Sequence, residues 1–165
     1  MTQELPVRVG IVVGSRSDIN AAQRASAVLD ELGVDSEIRV ISAHRAPDLL
    51  AGYVGSAEER GIRVFIAMAG LAAHLPGVIA SQTTRPVIGV PMPGGVADGL
   101  DALLAVVQMP KGVPVATVGV GNGENAALLA AEILAVASPE LAGRLRERRR
   151  AQAEAIAEDP ANEGL

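Results

Sequence analysis

Five short runs rich in valine and isoleucine are spaced along the chain: VRVGIVV from Val7, SEIRVIS from Ser36, RVFIAMA from Arg63, PVIGVP from Pro86 and PVATVGV from Pro114. Stretches of helical spacing lie between them, and this alternation restricts the possible folds more than any other feature. A near-continuous apolar run reads as a strand covered on both faces. Covered strands joined by helices make parallel βαβ units with right-handed crossovers. The chain is therefore predicted to form an α/β three-layer sandwich around a parallel five-stranded sheet. Its clearest helix has Ala22, Ala25, Val28, Leu29 and Leu32 on one face and Gly33 as its C-terminal stop. A second is expected to start at Pro47, whose missing N–H would be unpaired in a first turn anyway, and to end near Gly61.

The last segment, SPELAGRLRERRRAQAEAIAEDPANEGL, opens with Ser138 and Pro139 and continues as a charged helix into a polar tail, adding no strand. It reads as a solvated terminal helix or as an arm packed on a neighbouring subunit. A chain of 165 residues with 49% hydrophobic content can bury one core and is short for two. One domain over residues 1–165 is expected, with its core at about 7–137 and the C-terminal helix and tail at about 138–165.

Composition narrows the function classes. A net charge of −5 and a pI near 5.0 argue against a surface for polyanions, so no nucleic-acid partner is expected, while a local cationic pocket for a phosphate stays compatible. Without cysteine there is no disulfide framework, no thiolate nucleophile and no Cys-type zinc site. The start MTQELPVRVG lacks the basic and apolar regions of a signal peptide, and the apolar stretches break well short of the roughly 18 residues of a membrane helix. A soluble cytoplasmic protein with no membrane partner is expected. Phe65 and Tyr53 are the only large rings, so Ala, Val, Leu and Ile must fill the core. Small side chains each bury little area, which points to further apolar burial between subunits and hence to a homo-oligomer.

In an open parallel sheet, ligands bind beyond the carboxyl ends of the strands. The chemically unusual residues collect at three successive ends: GSRSD (Gly14 to Asp18), SAHRAP (Ser42 to Pro47) and AGLAAHLPG (Ala69 to Gly77). Gly14, Ser15 and Ser17 would offer N–H groups and hydroxyls to an anion at a helix start, or Ser17 or Asp18 would simply cap that helix. The stretch fits neither a Walker A loop nor the G-x-G-x-x-G fingerprint. GVGNGENAA from Gly119 reads as a tight strand-to-helix turn, with Asn125 as a possible ligand contact.

His44 and Arg45 stand side by side where the second strand ends, and His74 stands at a like place one strand later. A guanidinium is a planar fork suited to phosphate, and histidine has an ordinary pKa of about 6.5, suited to proton transfer near neutrality. Two histidines without a third ligand make a poor zinc site, so no metal is expected.

The segments GSRSD, ISAHRAPD, AAHLPG, PVIGVP, LDALLAVVQMPKGVPVATV and NAALLAAEIL, in this order from about Val7 to Arg149, resemble the PurE family of N5-carboxyaminoimidazole ribonucleotide mutases. Members are also known as the catalytic subunit of phosphoribosylaminoimidazole carboxylase. The resemblance implies a flavodoxin-like fold, a homo-octamer, a place in de novo purine biosynthesis, and no metal or organic cofactor. It implies that His44 is the general acid and then the general base as the substrate's carboxyl group leaves a nitrogen as CO2 and joins a ring carbon. It further implies that Ser15, Ser17, Asp18, Ser42 and Arg45, with Ala43 beside them, hold the ribose and phosphate. Ala69, Gly70, His74 and Leu75 would surround the migrating carboxyl group, and Gln108 to Pro110 would pack near the site, from the same subunit or across a subunit boundary. Where the family loop usually reads Gly-Ala-Gly-Gly-Ala-Ala-His, this chain has Met68, Ala69, Gly70, Leu71, Ala72, Ala73 and His74. If Leu71 takes a positive φ or points at the carboxyl pocket, the fit to substrate changes; if it points into the sheet, little changes. Two rivals are an enzyme of the same fold that carboxylates aminoimidazole ribonucleotide with free CO2 and a non-catalytic phosphosugar binder. A phosphoacceptor signalling domain is set aside, because the third strand ends in Ala69 and Gly70 with no aspartate to phosphorylate.

Overall fold

Apolar runs with no internal donors other than the backbone must pair side by side, and here they do so in one parallel sheet of order β2-β1-β3-β4-β5. The computed structural model describes residues 8–164, so Val7 of the expected first strand and the start of the chain that bears on a leader lie outside the described residues. The strands are β1 (Val9–Val13), β2 (Ser36–Val40), β3 (Val64–Ala69), β4 (Val87–Pro91) and β5 (Ala116–Thr117). The helices are α1 (Ile19–Glu31), α2 (Pro47–Ala57), α3 (Leu75–Ala80), α4 (Leu100–Val107), α5 (Gly123–Ala135) and α6 (Pro139–Ala157). Order and alternation are those of a flavodoxin-like sandwich.

Side chains alternate across the sheet. Val9, Ile11 and Val13 of β1 join Ile66 and Met68 of β3 beneath α1 and α5, while Val12, Phe65 and Ala67 face α2, α3 and α4. Both rings lie in the second layer, edge to face at 6.3 Å between centroids. On the first layer alanine replaces bulk. Ala22 and Ala25 of α1 and Ala126, Ala127, Ala130 and Ala131 of α5 are buried. A Cβ on Gly123 would lie 3.0 Å from Met68 Cε and 3.2 Å from the Ala21 carbonyl, so the two helices are in close approach.

Three expectations change. Strands β1, β3 and β4 are buried throughout, but β2 is half-buried to exposed because it is an edge strand. Its Glu37 is bound by Arg39 and Arg60 at 2.7 Å each, and such charges on an edge discourage pairing with another chain. The fifth run keeps only two ladder residues, since Pro114 has no N–H to give and β5 is the other edge. The second helix stops at Ala57, short of Gly61, and a turn with Gly61 at φ 98° leads into β3.

The first helix ends at Glu31, and Gly33, expected as its stop, follows the Leu32 cap with φ 66°. Ser138 accepts from the Leu141 N–H at 3.4 Å, starting α6, which buries Leu141 and Leu145 against the first core layer. Among the described residues no helix is long and apolar enough to cross a membrane.

Candidate functional site

After β1 the chain turns one way to α1 and β2, whereas β3 pairs on the other side of β1, so the loops after β1 and β3 part and leave a crevice. Val13, Val40 and Met68 lie level in the register, which brings the three expected loops to one rim. They line a cavity of about 660 Å³. Ser15, Ser17, Asp18, Ser42, Ala43, His44, Arg45, Ala69, Gly70, His74 and Leu75, all singled out in the sequence, face it.

The first loop is a single 3-10 turn at Arg16–Asp18, placed ahead of α1. Ser15 caps this turn, accepting from the Ser17 N–H at 3.4 Å, while Asp18, one of the two residues expected to cap the helix, holds the N-cap position of α1 without a side-chain cap bond. The Ser17 hydroxyl lies 3.1 Å from Ser15 Oγ and 3.4 Å from Asp18 Oδ1 and can donate to one at a time. Burial pushes the Asp18 carboxyl above its usual value, and the Ser17 bond only partly offsets this.

Arg45 ties the second loop to the first. Its backbone N–H and Nε donate to Ser42 Oγ at 3.2 and 3.3 Å, and Nη2 donates to the Gly14 carbonyl at 3.3 Å. The rest of the guanidinium fork stays available to an anion. Beside it, His44 Nε2 and His74 Nδ1 are 2.7 Å apart with the rings nearly perpendicular at 84°. One nitrogen must donate and the other accept, so the bond couples the proton arrangements of the two rings. Sequence reading placed the two histidines near each other but missed their direct bond, which depends on the approach of two loops 30 residues apart.

The third loop answers the question about the two replaced glycines. Met68 is fully buried in the sheet layer beneath α5, away from the cavity. Leu71 has φ 54°, is 61% exposed and lines the cavity. Ala72, Met92 and Pro93 also line it and were missed, because small and apolar residues carry no chemical signal. Met92 arrives there because its N–H donates to the Ala69 carbonyl at 2.8 Å, continuing the ladder of β3 and β4. Asn125 does not line the cavity; its N–H donates to Asn122 Oδ1 at 3.0 Å, so Asn122 caps α5. Nor do Gln108 to Pro110 line it within one chain, where Met109 sits against Gly77 of α3. Among the described residues no group of three His, Asp or Glu side chains could hold a metal ion.

Residues 8–155 match the family model described as AIR carboxylase. The chain belongs to the AIR carboxylase family. Its relatives in that family include the N5-carboxyaminoimidazole ribonucleotide mutase of Thermotoga maritima, 54% identical over 140 residues that cover 85% of this chain and 82% of that one. The mutase of the same name from Mycobacterium tuberculosis is 53% identical over 84% of this chain and 79% of its own length. The phosphoribosylaminoimidazole carboxylase of Schizosaccharomyces pombe is 52% identical over 84% of this chain but only 25% of its own length. Among solved structures, Treponema denticola PurE superposes with a TM-score of 0.86 at 28% identity, covering 95% of this AIR carboxylase family chain and 98% of that one.

Proposed function

We propose that this protein is an N5-carboxyaminoimidazole ribonucleotide mutase, forming 4-carboxyaminoimidazole ribonucleotide in de novo purine biosynthesis. The observation that carries the reading is the His44–His74 bond at 2.7 Å beside the Arg45 fork, in a cavity walled by serines on one side and small apolar residues on the other.

Arg45 holds the phosphate, helped by Ser15, Ser17 and Ser42, and Asp18 accepts from ribose hydroxyls. The carboxyl group then lies over Ala69, Gly70 and Leu75. With His44 Nε2–H donated to His74 Nδ1, the other nitrogen of His44 is free to cycle between protonated and bare forms, and the bond to His74 survives in both. As the nitrogen–carboxyl bond breaks and CO2 departs, His44 gives its proton to that nitrogen. The ring carbon then attacks CO2, and its proton returns to His44. Atoms and protons balance with no oxidant or reductant, so the reaction as written needs no cofactor. His74 is a positioning residue: it orients the His44 ring and sets which nitrogen carries the proton.

The protein acts in the cytoplasm as a homo-oligomer, an octamer by likeness to its family. Supporting this, Leu100, Leu104 and Val107 lie on one side of α4 and are 46%, 47% and 49% exposed, an apolar stripe at helical spacing.

Substrate labelled in its carboxyl carbon, turned over with excess unlabelled bicarbonate, tests the function. A mutase keeps the label in the product. Product carrying carbon from the bulk would assign the direct carboxylase reaction instead, and binding without turnover would leave a phosphosugar binder.

A further inference from the structure

Most arginines of this chain are held by carboxylates. Arg8 and Arg63 are not. Acidic side chains outnumber basic ones 19 to 14 over the chain, yet neither guanidinium has an ion pair or a side-chain hydrogen bond among the described residues. Both line one cavity of about 430 Å³. Arg8 precedes β1 and Gly14 follows it, so the five residues of that strand, about 17 Å of extended chain, separate this cavity from the one that holds His44.

The two arginines are neighbours across the sheet. The Arg63 N–H donates to the Arg8 carbonyl at 2.8 Å, and Val9 and Val64, next along each strand, lie level. Two positive charges brought to one cavity repel each other, and an anion placed between them turns that cost into attraction. Asp35 does not serve as that anion: its carbonyl accepts the Arg8 N–H at 3.0 Å, but it forms no ion pair with the guanidinium. Glu140 is turned away to Arg144 at 2.7 Å. Ser138 adds a third polar group, because its Oγ accepts from the Leu141 N–H at 3.4 Å and keeps its own hydrogen to donate. The remaining wall is apolar, with Val64, Pro86, Ile133 and Leu134. None of these residues belongs to α4, whose apolar stripe is the proposed subunit face.

We infer that this cavity is a second binding site, for a phosphate monoester that carries an apolar ring. A carboxylate has two oxygens and fills one guanidinium fork, whereas a phosphate monoester has three terminal oxygens and roughly two negative charges at neutral pH, matching two arginines and a hydroxyl. The ring lies against Ile133 and Leu134, where a cavity of this size and mixed lining suits a small organic ligand. The site takes no part in the chemistry of His44, so binding is its first readout.

Phenyl phosphate is the probe, titrated calorimetrically into an Arg45→Gln protein so that the phosphate fork of the catalytic cavity does not compete. One molecule should bind per chain, more weakly as salt rises. Adding Arg63→Gln or Arg8→Gln should weaken it by about tenfold or more, the effect of losing a charge-assisted bond. Inorganic phosphate should bind about tenfold more weakly than phenyl phosphate, for want of the apolar contact. Arg63→Gln alone should keep the parent's kcat and KM. Phenyl phosphate held as tightly after both arginine substitutions, or not held at all by the Arg45→Gln protein, would overturn the site. Inorganic phosphate binding as tightly as phenyl phosphate would overturn the ring-bearing ligand.

Discussion

His44 owes its setting to two neighbours with different tasks, Arg45 bonded back to Ser42 and Gly14, and His74 at 2.7 Å. His44→Asn keeps volume and some hydrogen bonding but cannot carry a proton near neutrality. Substrate binding should survive while turnover falls by roughly a hundred- to ten-thousand-fold, read as kcat against KM in steady-state kinetics. His74→Asn should cost less in kcat and shift its pH profile, because the ring it orients remains. Asp18 offers a test of opposite sign. Its folded carboxyl titrates above the unfolded value, chiefly through burial, so the proton it keeps favours the folded state at low pH. That contribution is fully present below the ordinary pKa of 3.8 and is lost as pH rises through the raised value. Asp18→Asn should therefore raise the melting temperature at neutral pH, with the gain shrinking toward acid, while raising KM if Asp18 accepts from the ribose. A melting temperature difference independent of pH would show that burial of the charge is not the cause.

At the scale of elements, the spacing of Ala22, Ala25, Val28, Leu29 and Leu32 placed α1 and its stop at Gly33, because a helix face and a left-handed end are both written in local residues. The length of β5 and the exposure of β2 were not legible, since a run of β-branched residues does not say whether a partner lies on one side or two. The caps were legible in part. Ser138 caps α6 and Asp18 holds the N-cap position of α1, but without a side-chain bond, and the Ser15 cap of the turn before it was not foreseen. Close approach is a further tertiary matter. A Cβ on Gly89 of β4 would lie 2.4 Å from Val106 Cγ1 and 2.9 Å from Val115 Cγ1. Gly89→Ala should overpack this junction and cost about 1–3 kcal/mol, measured as a fall in the urea midpoint. An unchanged midpoint would mean that α4 can shift away from the sheet at no cost.

For the whole molecule, the apolar stripe on α4 bears on assembly. A core with two large rings relies on many small contacts, and leaving Leu100, Leu104 and Val107 in water forgoes burial that a second copy could supply. Leu104→Glu should shift the particle to a smaller species in light scattering and lower activity. A variant that keeps both size and activity would exclude this face from the interface.

The layered α/β architecture was legible along the chain, because the periods of strand and helix and the residues that stop them are local properties. So was the meeting of three loops at the cavity, since parallel strands must all deliver their carboxyl-end loops to one rim, and the candidate residues from Ser15 to Leu75 line it. What those loops do to one another is set by the assembled fold. The His44–His74 bond, the span of Arg45 to Gly14 and the reach of Leu71 to Gly95 join residues from different loops. Their distances follow from sheet order and register, which no single segment contains.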